Sequence, residues 1–184
     1  MRMGKMSTNS PQCPTRSGWT LIELMVVLVI LVIAAGVVIP MVTGTEDMQA
    51  RSAARMVAAD LQFGQNTAIT TQTNVNGPVA GVKVIFTPKT QNTRGSYKLI
   101  YDDNKSSAVK NPMTGADYNV VFSSSTGFGS LFVVSTTFAQ NTVEFDATGA
   151  PSNAGSVTVQ AGTSVYQVAV AASTGKVTVT CVHP

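Results

Sequence analysis

Gly18-Trp19-Thr20-Leu21-Ile22-Glu23, followed by Leu24-Met25-Val26-Val27-Leu28-Val29-Ile30-Leu31-Val32-Ile33-Ala34-Ala35-Gly36-Val37-Val38-Ile39-Pro40-Met41-Val42, is the stretch that decides how this 184-residue chain is organised. Leu24 to Val42 carries no charge over 19 residues. As a helix rising about 1.5 Å per residue it spans about 28 Å, close to the roughly 30 Å of bilayer hydrocarbon. The length predicts a membrane-spanning helix over 19–42. A secretory signal has an apolar core of only about 7–15 residues before its cleavage site. Ala34-Ala35-Gly36 could mimic such a site, but the run is too long for that reading. Arg2, Lys5 and Arg16 precede the run, and the first ionisable groups after it are Glu46 and Asp47. That asymmetry places the N-terminus in the cytoplasm and the C-terminal bulk across the membrane.

The chain holds 12 Lys+Arg and 9 Asp+Glu, a formal charge of +3, with 11% charged residues. The excess lies wholly in the first 18 residues, since nine bases and nine acids follow from Trp19 onward. The remainder is neutral by count, which removes a general electrostatic case for nucleic acid. Cys13 and Cys181 are the two cysteines, at opposite ends of the chain. Pro11 and Gln12 before Cys13 do not suit lipidation. Glu23 sits one residue before the uncharged run. A carboxylate at membrane depth costs several kcal/mol and by default marks a function, unless it snorkels to the headgroups as the helix end.

Gly18-Trp19-Thr20-Leu21-Ile22-Glu23-Leu24-Met25-Val26-Val27 resembles the cleavage and methylation motif of type IV pilins and type II secretion pseudopilins, with Trp19 where Phe is usual. The resemblance implies a leader peptide over 1–18, cut between Gly18 and Trp19 by a prepilin peptidase, with methylation of the new amine on Trp19. It also implies that Glu23 sets register in assembly, its carboxylate meeting the amine of a neighbouring subunit. Pairing with its own amine is the rival geometry. Gly36 and Pro40 mark a kink, because Pro removes a helical hydrogen bond and Gly weakens the turn before it; an ordinary membrane proline is the alternative.

Thr45-Glu46-Asp47 reads as a helix start with acids in the first turn, and an amphipathic helix is expected over 43–70. Its apolar face is predicted at Met48, Ala53, Met56, Val57, Leu61, Ala68 and Ile69, with Arg51, Arg55, Asp60 and Gln65 mostly outside it. Residues 71–184 form a β-rich domain of short β-branched runs between Gly, Asn, Ser and Pro. Eight strands are predicted, at 80–86, 96–101, 118–122, 131–135, 142–146, 156–160, 165–171 and 176–181. The fold class is therefore α+β: a long N-terminal helix, membrane-spanning and then amphipathic, packed on about eight antiparallel strands in two sheets.

Leu61 to Ile69, Phe145-Asp146-Ala147-Thr148-Gly149 and Val168-Ala169-Val170 leading to Thr174-Gly175-Lys176-Val177 resemble the GspH/FimT group of minor pseudopilins and minor pilins. This implies a structural subunit of a type II secretion pseudopilus in the inner membrane, assembling with other pseudopilins or pilins. The alternative is a FimT-like type IV pilin acting in pilus assembly or DNA uptake. That DNA-binding class carries Gly-Arg-x-Arg near its end, whereas Gly175-Lys176-Val177-Thr178 offers one base, so Lys176 implies at most a weak DNA contact. Folding could still gather Lys83, Lys89, Arg94, Lys98 and Lys176 on one face. No nucleophile, base or metal cluster assembles from the composition, so neither enzyme nor cofactor is expected. Asp102, Asp103, Asn104 and Asp117 could offer oxygen ligands to Ca²⁺, but their spacing fits a solvated loop better. Cys181 reads as a buried or edge-strand thiol, and His183 as part of a frayed end.

Overall fold

The structure is a computed structural model that describes residues 19–43, 45–71, 73–74, 77–123 and 131–183, with side chains described at all of these except 36–43 and 74. The chain divides into two units, Met1–Val42 and Thr43–Pro184. The first helix, α1, spans Leu21–Thr43 and lies in the first unit up to its last residue. Thr20 starts it: the Glu23 amide donates to the Thr20 carbonyl at 3.1 Å and to its Oγ1 at 3.3 Å, the Thr-x-x-Glu signature of a helix cap. From Leu21 to Ala35 every described side chain is exposed. A helix apolar all round needs lipid or protein around it. Among the described residues no helix is long and apolar enough to cross a membrane. On α1 the described side chains stop at Ala35, and Leu21–Ala35 alone falls short of the roughly 20 residues a span needs.

In the second unit, α2 covers Thr45–Thr70. It is followed by β1 (Thr73–Asn74), β2 (Gly77–Pro78), β3 (Gly81–Thr87), β4 (Ser96–Tyr101), β5 (Asn119–Val121) and β6 (Leu131–Thr136). β7 (Thr142–Asp146), β8 (Gly155–Ala161), β9 (Ser164–Val170) and β10 (Val177–His183) complete the domain. Two antiparallel four-stranded sheets have the orders β10-β9-β8-β6 and β5-β4-β3-β7. The period of two in the sequence sets their inner faces: Val82, Val84 and Phe86 point inward from β3, and Tyr166, Val168 and Val170 from β9. All eight predicted strands are present, with ends shifted by at most two residues. The short β1–β2 hairpin was outside the prediction, because two-residue strands leave no alternation to read.

α2 packs against both sheets through small residues, with Ala50, Ala53, Ala54 and Gly64 buried beside Val57 and Leu61. Such residues let helix and strand backbones approach closely: a Cβ on Gly64 would lie 3.3 Å from the Val84 side chain. The predicted face is corrected in three places. Met48 is 72% and Ile69 44% exposed, while Asp60, placed mostly outside the face, is buried at 9% exposure. The centre of the face follows the alanines, which a hydropathy ranking underweights. The segment 102–117 is also more than a solvated loop. Val109 is buried, its amide donating to Leu99 O at 3.0 Å and its carbonyl accepting from Tyr118 at 2.7 Å.

Candidate functional site

The N-terminal element comes first in the chain. Gly18 lies outside the described residues. Trp19 is 71% exposed, immediately before the Thr20 cap. Glu23 is exposed in the first turn of α1, the end where peptide dipoles leave partial positive charge. Among the described residues its carboxylate has no side-chain partner. The backbone of α1 is helical through Gly36 and Pro40. This element thus presents an exposed Trp19, a capped helix start and, among the described residues, a carboxylate without a charge partner at the head of an apolar rod.

Inside the second unit, the three later sequence stretches meet at one side chain. Gln65 Nε2 on α2 donates to Gly149 O at 2.7 Å and to Thr174 O at 3.3 Å. Gly149 closes the turn after β7 at φ +82°, and Gly175 begins the return into β10 at φ +63°. Both glycines are required twice over. A Cβ on Gly149 would lie 2.7 Å from Ile69 Cδ1, and one on Gly175 would lie 2.4 Å from Gln65 Nε2. Asp146 shapes the first turn, its Oδ1 accepting from Thr148 N at 2.8 Å, Thr148 Oγ1 at 2.7 Å and Ala150 N at 2.9 Å. Those donors hold its carboxyl below the usual range. Gln65 was placed mostly outside the helix face, yet it fastens the C-terminal half of α2 to both sheets.

One turn earlier, Asp60 accepts from Tyr118 OH at 2.7 Å and from Tyr97 OH. Burial pushes the Asp60 carboxyl up, and the two phenol donors pull in the opposite direction. Burial and the neighbouring carboxylate push both phenols well above their ordinary value, so both stay protonated donors. Phe63 stacks on Tyr118 at a ring separation of 5.3 Å, covering the cluster from α2. The arrangement fixes α2 against β4 and the start of β5. The sequence signal available for Asp60 was its place among alanines on the inner stripe, against which its charge weighed more heavily.

Lys83, Asp102, Asp103, Lys110, Asp117 and Glu144 take local partners. Lys83 meets Asp102 at 2.6 Å and Glu144 at 3.7 Å, which raises the lysine and lowers Asp102, while burial pushes Glu144 up. Asp103 accepts from the amides of Lys105 and Ser107, and Asp117 meets Lys110 at 2.6 Å. Lys89 and Arg94 lie 5.0 and 5.6 Å from the Phe132 ring. Phe132 pairs with Gln160, at the end of the sheet next to the β8–β9 turn, whereas Lys176 is exposed at the opposite end, before β10. Lys176 is therefore not gathered with Lys89 and Arg94. Arg51 and Arg55 are exposed. Cys181 is exposed on the edge strand β10. His183 pairs with Val165 at the end of β10, which corrects the frayed-end expectation.

Two family models match the chain. Type II transport protein GspH matches residues 53–175, and the prokaryotic N-terminal methylation motif matches residues 14–39. No curated protein and no solved structure matches it. The first match begins at Ala53, on the buried face of α2, and ends at Gly175, so it encloses the Asp60 and Gln65 clusters. The second encloses Gly18, Trp19, Glu23 and Gly36 and stops one residue before Pro40.

Proposed function

Because the chain belongs to the type II transport protein GspH family, we propose that it is a structural minor pseudopilin of a type II secretion system. One observation carries the reading: an N-terminal methylation motif stands in front of a GspH domain in the same chain. Family membership and the motif imply processing by a prepilin peptidase and assembly with other pseudopilins or pilins. In the proposed sequence of events the leader 1–18 is removed on the cytoplasmic side and Trp19 becomes the methylated first residue. The uncharged run Leu24–Val42 holds the protein in the inner membrane once, with the β-rich domain on the periplasmic side.

Glu23 then lies one helical turn from the new amine. Removing either charge from water is costly, and their attraction offsets that cost only when they meet in good geometry. A carboxylate in a capped first turn, held at fixed depth by an apolar rod, suits pairing with the amine of an axially displaced neighbour. Gly36 and Pro40 give α1 a place to bend as subunits pack. The intact mass of the membrane-extracted protein tests this reading. A chain beginning at methylated Trp19 is expected; a first residue at Gly36 or later would overturn it.

A further inference from the structure

The polar segment after β4 carries a motif that neither cluster on α2 uses. Asn104-Lys105-Ser106 is the only Asn-x-Ser/Thr triplet formed by the ten asparagines of the chain. The pattern reads as an acceptor for an N-linked glycan when it stands on a surface loop of an exported protein. The asparagine supplies the nitrogen, and the hydroxyl two residues on is the second recognition group.

Local geometry presents both groups. The Asp102 amide donates to Gly81 O at 2.8 Å, the Ala80 amide to Asp102 O at 2.9 Å and the Tyr101 amide to Ser107 O at 2.7 Å. These bonds fasten the two ends of a short turn to the β3–β4 ladder. Lys83 holds Asp102 at its base, at 2.6 Å. Asp103 organises the turn from within. Its Oδ1 accepts from the Lys105 amide at 3.1 Å and the Ser107 amide at 2.9 Å, and its carbonyl accepts from the Ser106 amide at 3.2 Å. The turn is therefore held without help from the side chains of Asn104 and Ser106. Both residues are exposed, and among the described residues neither side chain makes a hydrogen bond.

Other asparagines are engaged: the side chains of Asn111 and Asn141 accept from Met113 N and Thr136 Oγ1, and that of Asn153 donates to Ser152 Oγ. Ser106 also sits at φ +51°, in the left-handed region that a β-carbon disfavours. An enzyme that draws the turn out into extended backbone relieves that conformation, while the sheet below it stays paired.

We propose that Asn104 is a glycosylation site, modified after the β-rich domain has crossed the membrane; this rests on the exported reading above. The donor is an oligosaccharide carried on a polyprenyl diphosphate, brought to the loop by a membrane oligosaccharyltransferase. Asn104 Nδ2 forms a bond to C1 of the first sugar as the C1–O bond to the diphosphate breaks. The diphosphate leaves with the electron pair, and the proton lost from Nδ2 passes to a base of the transferase. The product keeps the side-chain amide. A bulky, solvated sugar on a turn that buries neither Asn104 nor Ser106 leaves the fold undisturbed.

The test uses the full chain extracted from the membranes of the cells that make it. Its intact mass is expected to exceed that of the chain beginning at methylated Trp19 by one or more sugar residues, and proteolytic fragments are expected to place the excess on Asn104. Asn104→Gln and Ser106→Ala should each lose the excess completely and Ser106→Thr should keep it, with all three variants folded by circular dichroism. An unmodified Asn104 in a chain that begins at methylated Trp19 overturns this proposal and leaves the exported reading standing. An excess that survives Ser106→Ala, or that maps to a Ser or Thr hydroxyl, overturns it as well. A first residue at Gly36 or later, with Asn104 glycosylated, overturns the anchored reading alone.

Discussion

Asp60 is the residue where local chemistry and fold are most tightly joined. Replacing it with Ala removes the acceptor for two tyrosine hydroxyls, one fully and one partly buried, and is expected to cost about 2–4 kcal/mol. Urea unfolding measures this. Because burial raises its carboxyl in the folded state, the native protein holds that proton more readily than the unfolded chain. Its contribution is therefore greatest at low pH and declines as pH rises from the ordinary carboxylate value through the raised folded value. Asp60→Asn should lose that slope, seen as unfolding midpoints that no longer fall across the interval. Gly175→Ala tests the neighbouring cluster. It forces a left-handed φ on a residue with a Cβ and drives it into Gln65, with an expected cost of about 1–3 kcal/mol in the same assay.

Among the elements, α2 earns its place by being narrow. Ala54 is fully buried where the helix meets the sheets, so Ala54→Leu should destabilise by about 1–3 kcal/mol, whereas Met48→Ala, on an exposed side chain, should change stability little. Thermal unfolding of the two variants separates a packed face from a hydropathy-ranked one. For α1 the corresponding variant is Glu23→Val. It removes the carboxylate from the first turn while leaving the apolar length intact, so membrane insertion should persist and crosslinking to neighbouring pseudopilins or pilins should fall. Unchanged crosslinking would leave Glu23 as a snorkelling end residue.

At the scale of the molecule, charge is balanced and dispersed. The nine bases after Gly18 are matched by nine acids, Lys83 is held between Asp102 and Glu144, and Lys176 stands far from the Lys89–Arg94 pair on Phe132. Duplex DNA should therefore bind weakly and without marked preference, since affinity and its salt dependence follow the number of phosphates neutralised. A gel-shift titration at low and moderate salt checks it. Submicromolar binding that weakens with Lys176→Ala would instead favour a FimT-like role in DNA uptake.

What the sequence determined by itself was whatever short-range periodicity and covalent order encode. The uncharged run, the Thr-x-x-Glu start of α1 and the alternation in β3, β8 and β9 each rest on neighbours within a few residues, and these elements were legible before any packing was known. Even the residues of the later clusters were visible: Gln65, Gly149 and Gly175 all stood in the stretches that resemble the GspH/FimT group. Their meeting was not, because 84 and 109 residues of chain separate Gln65 from its two carbonyl partners. Asp60 was misplaced for the same reason. A carboxylate is an outward residue unless distant donors satisfy it, and Tyr97 and Tyr118 reach it only once β4 and the start of β5 lie under α2. The edge position of β10 belongs to this second class, since whether a strand is an edge depends on which other strands the tertiary structure sets beside it.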